Sequence, residues 1–372
     1  MEARAPRVGG LTRRAFFALT PAALRAQAPG VQKGGMLPPD WKRFPDGSTE
    51  FEVLRLTDPA YESWLPSSPG RAAYQKSESI LMASSRTGSR QALHLDLKSG
   101  RSHVLTAAGE LDPRTLTLSY DDRAALYFDG PRLVSLNLRN LNETDLYRAP
   151  EGAERCGALA PSEDGTALFF IEKQNGAWLL RRLQLPKGAA STVVEYNAEI
   201  LDPLPNPRRT TVAWRTAAGD LWTAAFDGTL KRRLETPPGN VLQALWSPDG
   251  RAVLYLHQPA AGNALSAIRE QELDSRADRL VAQTSLFACF ARNANASVFL
   301  GASRSKASPN VLLLLKLTRR ELTLCEHRSS DARRAAVCFS ADSQRVFFQG
   351  DRDGKPAVYS IRVDKLVEKT GS

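Results

Sequence analysis

Short apolar runs, each opened by a polar turn, recur along the chain. Trp246-Ser247-Pro248-Asp249-Gly250 leads into Ala252-Val253-Leu254-Tyr255-Leu256, and Phe339-Ser340-Ala341-Asp342-Ser343 leads into Arg345-Val346-Phe347-Phe348. The same phrase occurs at Ala160-Pro161-Ser162-Glu163-Asp164-Gly165 before Ala167-Leu168-Phe169-Phe170-Ile171, and at Leu118-Ser119-Tyr120-Asp121-Asp122 before Ala124-Ala125-Leu126-Tyr127-Phe128. Asp and Gly supply the side-chain capping or positive φ that a tight turn needs, and the β-branched and aromatic residues suit half-buried strands. A further strand follows each second turn, as at Gln91-Ala92-Leu93-His94-Leu95, Arg132-Leu133-Val134-Ser135-Leu136, Leu221-Trp222-Thr223-Ala224 and Ala357-Val358-Tyr359-Ser360-Ile361.

A repeat of about 40 to 46 residues is the period of a propeller blade, an antiparallel unit that cannot bury both its faces alone. The pattern predicts an all-β fold, a β-propeller of seven four-stranded blades, running from near residue 70 to the C-terminus. Glu52-Val53-Leu54-Arg55-Leu56-Thr57 is expected to help close the ring. Val311-Leu312-Leu313-Leu314-Leu315 is far too short to span a bilayer and reads as a buried strand. One propeller over residues 51–372 accounts for the length, and the 42% hydrophobic content is ample for its core.

Residues 1–28 read as an export leader. Thr12-Arg13-Arg14-Ala15-Phe16-Phe17 precedes an apolar stretch, and Ala26-Gln27-Ala28 offers small residues for cleavage, the arrangement of a twin-arginine signal. The expected location is the periplasm of a bacterium, or secretion, with no transmembrane segment left after processing. The Pro- and Gly-rich residues 29–50 then read as a linker. The leader holds five arginines and one glutamate, so the net charge of +10 falls to about +6 once it is removed. Arg208-Arg209, Arg232-Arg233, Arg319-Arg320 and Arg333-Arg334 remain as dispersed pairs, read as solvated turns. Nucleic acid is not an expected partner, and the chain is expected to be a monomer.

No nucleophile elbow, phosphate-binding glycine loop or His-Glu-x-x-His occurs, which leaves hydrolase and nucleotide chemistry without a motif. Cys156, Cys289, Cys325 and Cys338 lack metal-ligand spacing and are expected as free thiols rather than a disulfide. His94 and His103 read as fillers in or beside a strand, while His257 ends a strand and His327 follows Cys325. Trp178, Trp214 and Trp222 present faces suited to sugars, but in blade strands they are expected in the core.

The turn phrases resemble propellers of the TolB type. More narrowly, Ser297-Val298-Phe299-Leu300-Gly301, Leu324-Cys325-Glu326-His327-Arg328-Ser329-Ser330, Phe348-Gln349-Gly350-Asp351-Arg352-Asp353-Gly354 and the opening Val53-Leu54-Arg55-Leu56-Thr57-Asp58-Pro59 are similar to the oligogalacturonate lyase family. That resemblance implies a seven-bladed propeller holding a divalent cation, manganese, through histidines and a glutamine. A histidine base and an arginine would complete the β-elimination of pectin fragments. The matching positions differ. Arg334 and Ala336 stand where two ligands would be, in Arg334-Ala335-Ala336-Val337-Cys338. Asp331 stands near the glutamine, Cys289 replaces the remaining histidine, Gln243 the base and Asp220 the arginine. An arginine repels a cation and glutamine takes no proton at neutral pH. The catalytic residues are therefore unknown and no metal ligand is assigned, with manganese implied only if the lyase activity persists. Asp220, Gln243, Cys289, Asp331 and Arg334 are expected as ligand-binding residues at the channel mouth, and His257 and His327 are the histidines a shift of register would bring there. The expected partner is an anionic oligosaccharide or an envelope protein; the alternative is an active lyase with a rearranged site.

Overall fold

The computed structural model describes residues 1–2, 31–186, 188–261 and 264–370, so residues 3–28 of the expected leader lie outside it. The chain divides into Met1–Gly30 and a unit spanning Val31–Ser372. In the second unit seven antiparallel sheets follow one another as the blades of a propeller. Their innermost strands are Ser63–Trp64, Thr117–Leu118, Glu154–Pro161, Ile200–Pro205, Gly239–Trp246, Phe287–Arg292 and Cys338–Phe339. We number the blades 1 to 7 in that order. Among the described residues the only helical element is the single turn Ala332–Arg334, and no helix is long and apolar enough to cross a membrane.

The ring closes through the N-terminal part of the unit. Blade 7 takes three strands from the end of the chain and completes its four-stranded meander with Glu52–Arg55, Val53 opposite Ile361 and Arg55 opposite Tyr359. Lys42–Pro45 then adds a fifth strand to blade 7, and Met36–Leu37 a fifth to blade 1. Of the stretch 29–50, expected to be a linker, the described part is thus built into two blades. The physical reason is that outer strands leave unpaired N–H and C=O groups that a passing segment can satisfy. Asp46 shows how firmly the segment is tied: its carboxylate accepts from Ser48 N at 3.0 Å and from Glu326 N, in blade 6, at 3.1 Å.

Burial follows the propeller logic. The described residues form seven hydrophobic clusters, each drawing on two neighbouring blades. Leu54 and Val358 of blade 7 share one with Ile80 and Leu93 of blade 1, so the closing interface is as apolar as the rest. Gly301 is required where it stands, because a Cβ there would lie 2.2 Å from the Phe287 ring.

The turns between the first and second strands share one hydrogen-bond device. The hydroxyls of Ser119, Ser162, Ser247 and Ser340 donate to Asp121, Asp164, Asp249 and Asp342 at 2.6–2.7 Å. Each hydroxyl also accepts from the backbone N–H five residues on, at 2.9–3.0 Å. Asn206 and Asn293 do the equivalent work in blades 4 and 6. Asn206 Oδ1 accepts from Arg208 N and Arg209 N, and Asn293 Oδ1 from Val298 N.

Val53, on the closing strand, is 1% exposed in the cluster shared by blades 6 and 7. Replacing it with Asp would bury an unpaired charge there, so Val53→Asp is expected to cost about 3 kcal/mol or more. Equilibrium denaturation against the parent protein checks this.

Candidate functional site

The inner strands of all seven blades run side by side around a central channel. Its space forms one continuous cavity of about 1900 Å³. One end, the mouth, is framed by the loops that lead into the inner strands; the other, the turn end, by the turns that leave them. Four inner strands carry register irregularities facing this space, at Cys156/Ala160, Leu201/Leu204, Val241/Gln243 and Phe287/Cys289. Bulges of this kind re-aim side chains that regular alternation would send into the blade interfaces.

The wall chemistry is dominated by guanidinium groups. Arg71, Arg90, Arg114, Arg155, Arg208, Arg215, Arg292, Arg333 and Arg334 line the cavity against five acids, Glu110, Asp112, Glu163, Asp202 and Asp351. Among the described residues no histidine or lysine lines it. Several arginines are spent on neighbours. Arg215 pairs with Asp202 at 2.5 Å, Arg114 with Asp112 at 2.8 Å and Arg333 with Asp331 at 2.9 Å. Among the described residues Arg155, Arg208, Arg292 and Arg334 have no carboxylate within ion-pair distance, although Arg155 stacks over the Phe128 ring at 5.4 Å.

The residues expected at the mouth divide into two groups. Gln243, Cys289 and Arg334 line the cavity, and Asp220 and Asp331 do not. Asp220 lies in the turn before the third strand of blade 4 and pairs with Arg233 at 2.6 Å. Blade 4 sends two arginines into the cavity, Arg208 from its turn and Arg215, five residues before Asp220, from the strand Thr211–Thr216. Asp331 caps the helical turn, accepting from Arg333 N at 3.0 Å, and the Arg333 guanidinium holds its carboxyl below the usual range. Gln243 Oε1 is occupied by the backbone N–H of Phe290 at 2.8 Å, a tie between blades 5 and 6. The Cys289 thiol donates to Ala332 O at 3.2 Å, and burial pushes it up to about 12.

The histidines are used elsewhere. His257 is buried, with Nε2 against Pro237 O at 3.1 Å. His327 sits between Ser303 O, 3.0 Å from Nε2, and Ser329 N, which donates to Nδ1 at 3.0 Å. Burial pushes both imidazoles down. His94 meets Tyr74 edge to face and His103 Nε2 meets Gly34 O, both in blade 1 or its added strand. Trp214 is fully buried, and Trp178 and Trp222 pack on the cluster between blades 3 and 4; Trp64 and Trp246 are the indoles on the cavity wall.

Two of the four dispersed basic pairs, read as solvated turns, reach the cavity: Arg208 from the first, and both Arg333 and Arg334. Sequence reasoning missed Arg155, Arg215 and Arg292 because each stands singly in its strand. The residue after the first position of the turn leaving the inner strand would have been a usable signal. Tyr120, Glu163, Pro207, Pro248, Ala294 and Ala341 hold that place in blades 2 to 7, and all six line the cavity.

Comparison with known proteins gives this frame a context. The chain is 23% identical over 386 residues to the oligogalacturonide lyase of Pectobacterium atrosepticum, covering 91% of this chain and all of that protein. A solved oligogalacturonate lyase in complex with manganese superposes with a TM-score of 0.83 at 22% identity, covering 89% of this chain and 98% of that one. The chain resembles oligogalacturonate lyases along nearly its whole length. A 135-residue segment is also 27% identical to the Tol-Pal system protein TolB of Nitratidesulfovibrio vulgaris, covering 36% of this chain. No family model matches.

Manganese prefers carboxylate, imidazole and amide donors. The positions matched to the lyase ligands offer no free donor: Arg334 is a cation, Ala336 carries no donor atom, Cys289 is a neutral buried thiol and the Asp331 carboxylate is held in its ion pair, while Gln243, at the position of the base, has its amide oxygen hydrogen-bonded. Among the described residues no three His, Cys, Asp or Glu side chains converge as a metal site. This donor set does not fit the cation.

All four cysteines are free; burial also pushes the Cys338 thiol up to about 12 and Cys325 well above the usual range. The folded protein therefore holds these protons at pH values where the unfolded chain, near 9, has lost them, and stability falls as pH rises between those values. A thiol reagent at pH 8 is expected to label the buried Cys289 and Cys325 only about as fast as the protein opens. Mass spectrometry of alkylated native and denatured protein checks this.

Proposed function

We propose that this chain is an exported binding propeller whose channel takes an anionic oligosaccharide of the uronate class and does not break it by metal-assisted elimination. The observation that carries the reading is the nine arginines on the cavity wall, four of them without a carboxylate partner among the described residues. Guanidinium groups match a carboxylate in charge and in planar, paired hydrogen bonding, and gain strength where water is partly excluded. The resemblance to oligogalacturonate lyases supports the substrate class, since those proteins bear the name of an acidic sugar chain. The lyase chemistry is set aside because the donors at the matched positions suit neither the cation nor the base. Trp64, half-buried on the wall beside the Arg90 guanidinium, is the indole placed to meet a sugar ring, whereas Trp246 is buried in the cluster between blades 4 and 5. The leader motif at Thr12–Phe17 supports work outside the cytoplasm, and N-terminal sequencing of the exported protein is expected to begin after Ala28.

Calorimetric titration with trigalacturonate tests the proposal. Binding is expected to weaken at high salt. Arg155→Ala and Arg334→Ala are each expected to cost about tenfold in affinity, the loss of one charge-assisted hydrogen-bonding group. Added manganese is expected to change neither the binding nor the ultraviolet absorbance of the sugar. A manganese-dependent rise in absorbance from unsaturated product would establish instead a lyase with a rearranged site.

A further inference from the structure

The turn end of the channel carries chemistry that the mouth does not explain. Of the six turn residues that reach the wall there, four are proline or alanine; the other two, Tyr120 and Glu163, stand in adjacent blades and face each other. Glu163 also lies in the field of Arg208, Arg292 and Arg71. Burial raises its pKa, against the pull of those three cations.

The three arginines differ in what they have left to give. Arg71 is committed: it bonds Ser119 O at 2.7 Å, Tyr120 O at 2.8 Å and Asp122 at 3.0 Å, which fastens the blade 2 turn to blade 1. Arg292 donates through Nε to Trp246 O at 2.8 Å and through one terminal nitrogen to Asn293 O and Ala294 O at 3.2 Å. Its other terminal nitrogen has no such bond among the described residues, and burial pushes its pKa down. Arg208 is held only by its backbone, whose N–H is fixed by Asn206 at 2.8 Å, while Asn206 Nδ2 grips Gly250 O of the next blade at 2.8 Å. Among the described residues its guanidinium, at the rim of the cavity, makes no hydrogen bond or ion pair. The group therefore has two incompletely satisfied guanidiniums and a single carboxylate, Glu163, which accepts the Tyr120 hydroxyl and pairs with neither guanidinium at contact distance.

We propose that the turn end is a separate oxyanion site, in which Arg208 and Arg292 bind a small anion and Glu163, held beside them by the Tyr120 hydroxyl, is the built-in competitor that limits its affinity. An oxyanion between the two guanidiniums would supply the counter-charge that a half-buried Arg292 lacks and gain charge-assisted hydrogen bonds from both. Glu163, facing the same space, opposes it by like-charge repulsion. Removing that carboxylate must then tighten binding, an outcome a purely structural Glu163 would not produce.

The test is titration of the full-length processed protein with sodium sulfate, and separately with monomeric galacturonate, at constant ionic strength set with chloride. Sulfate represents an inorganic oxyanion and galacturonate a sugar carboxylate; whichever binds more tightly identifies the source. Arg208→Ala is expected to weaken sulfate binding about tenfold and Glu163→Gln to tighten it about tenfold, while Arg334→Ala at the mouth leaves sulfate binding unchanged. Equal losses in Arg208→Ala and Arg334→Ala, no gain in Glu163→Gln, or no binding of either anion would overturn the site. Trigalacturonate binding weakened by Arg334→Ala but not by Arg208→Ala, with sulfate binding intact in Arg334→Ala, keeps this result distinct from the reading of the mouth.

Discussion

The structure depends on one pairing, between Glu52–Arg55 near the start of the propeller and Ala357–Arg362 near its end. No blade buries its two faces alone; each of the seven clusters is shared by neighbours, so the ring is stable only as a ring. Because the joint is made by strands distant in sequence, closure carries a large loop-entropy cost that is met when the last interface forms. The channel exists only after that event, and every arginine on its wall owes its position to it.

Much of the fold was legible because its turns repeat a chemical device. A serine followed two residues later by aspartate locks the turn and feeds a strand, and four blades use it. The two copies at Asn206 and Asn293 were not legible because asparagine does the same work with a different side chain, a substitution that pattern matching does not equate. The segment 29–50 misled for the opposite reason: proline and glycine are as common at sheet edges as in linkers. The site was less legible. Gln243, Cys289 and Arg334 reach the cavity, but Arg155, Arg208, Arg215 and Arg292 are scattered over several blades, and convergence about an axis leaves no spacing to read along the chain.

Resemblance and chemistry part company within one molecule. The likeness to oligogalacturonate lyases extends over 91% of the chain, and the apolar interfaces and locked turns account for a retained frame. The cavity wall obeys other constraints. A metal centre needs several neutral or anionic donors at one point, whereas guanidiniums distributed over a channel suit a ligand that is itself extended and charged. On the proposed reading, a wall of the second kind holds its ligand and asks nothing of the blade interfaces.

The turn leaving each inner strand separates two jobs by a single residue. The serine and the aspartate lock the backbone, and the residue between them points into the channel with no part in the lock. Because the lock is made by the flanking side chains, the middle positions of successive blades form a ring whose chemistry can differ from blade to blade on a common chassis. Tyr120 and Glu163 stand in that ring beside prolines and alanines, so its polar chemistry is gathered at one place on the rim.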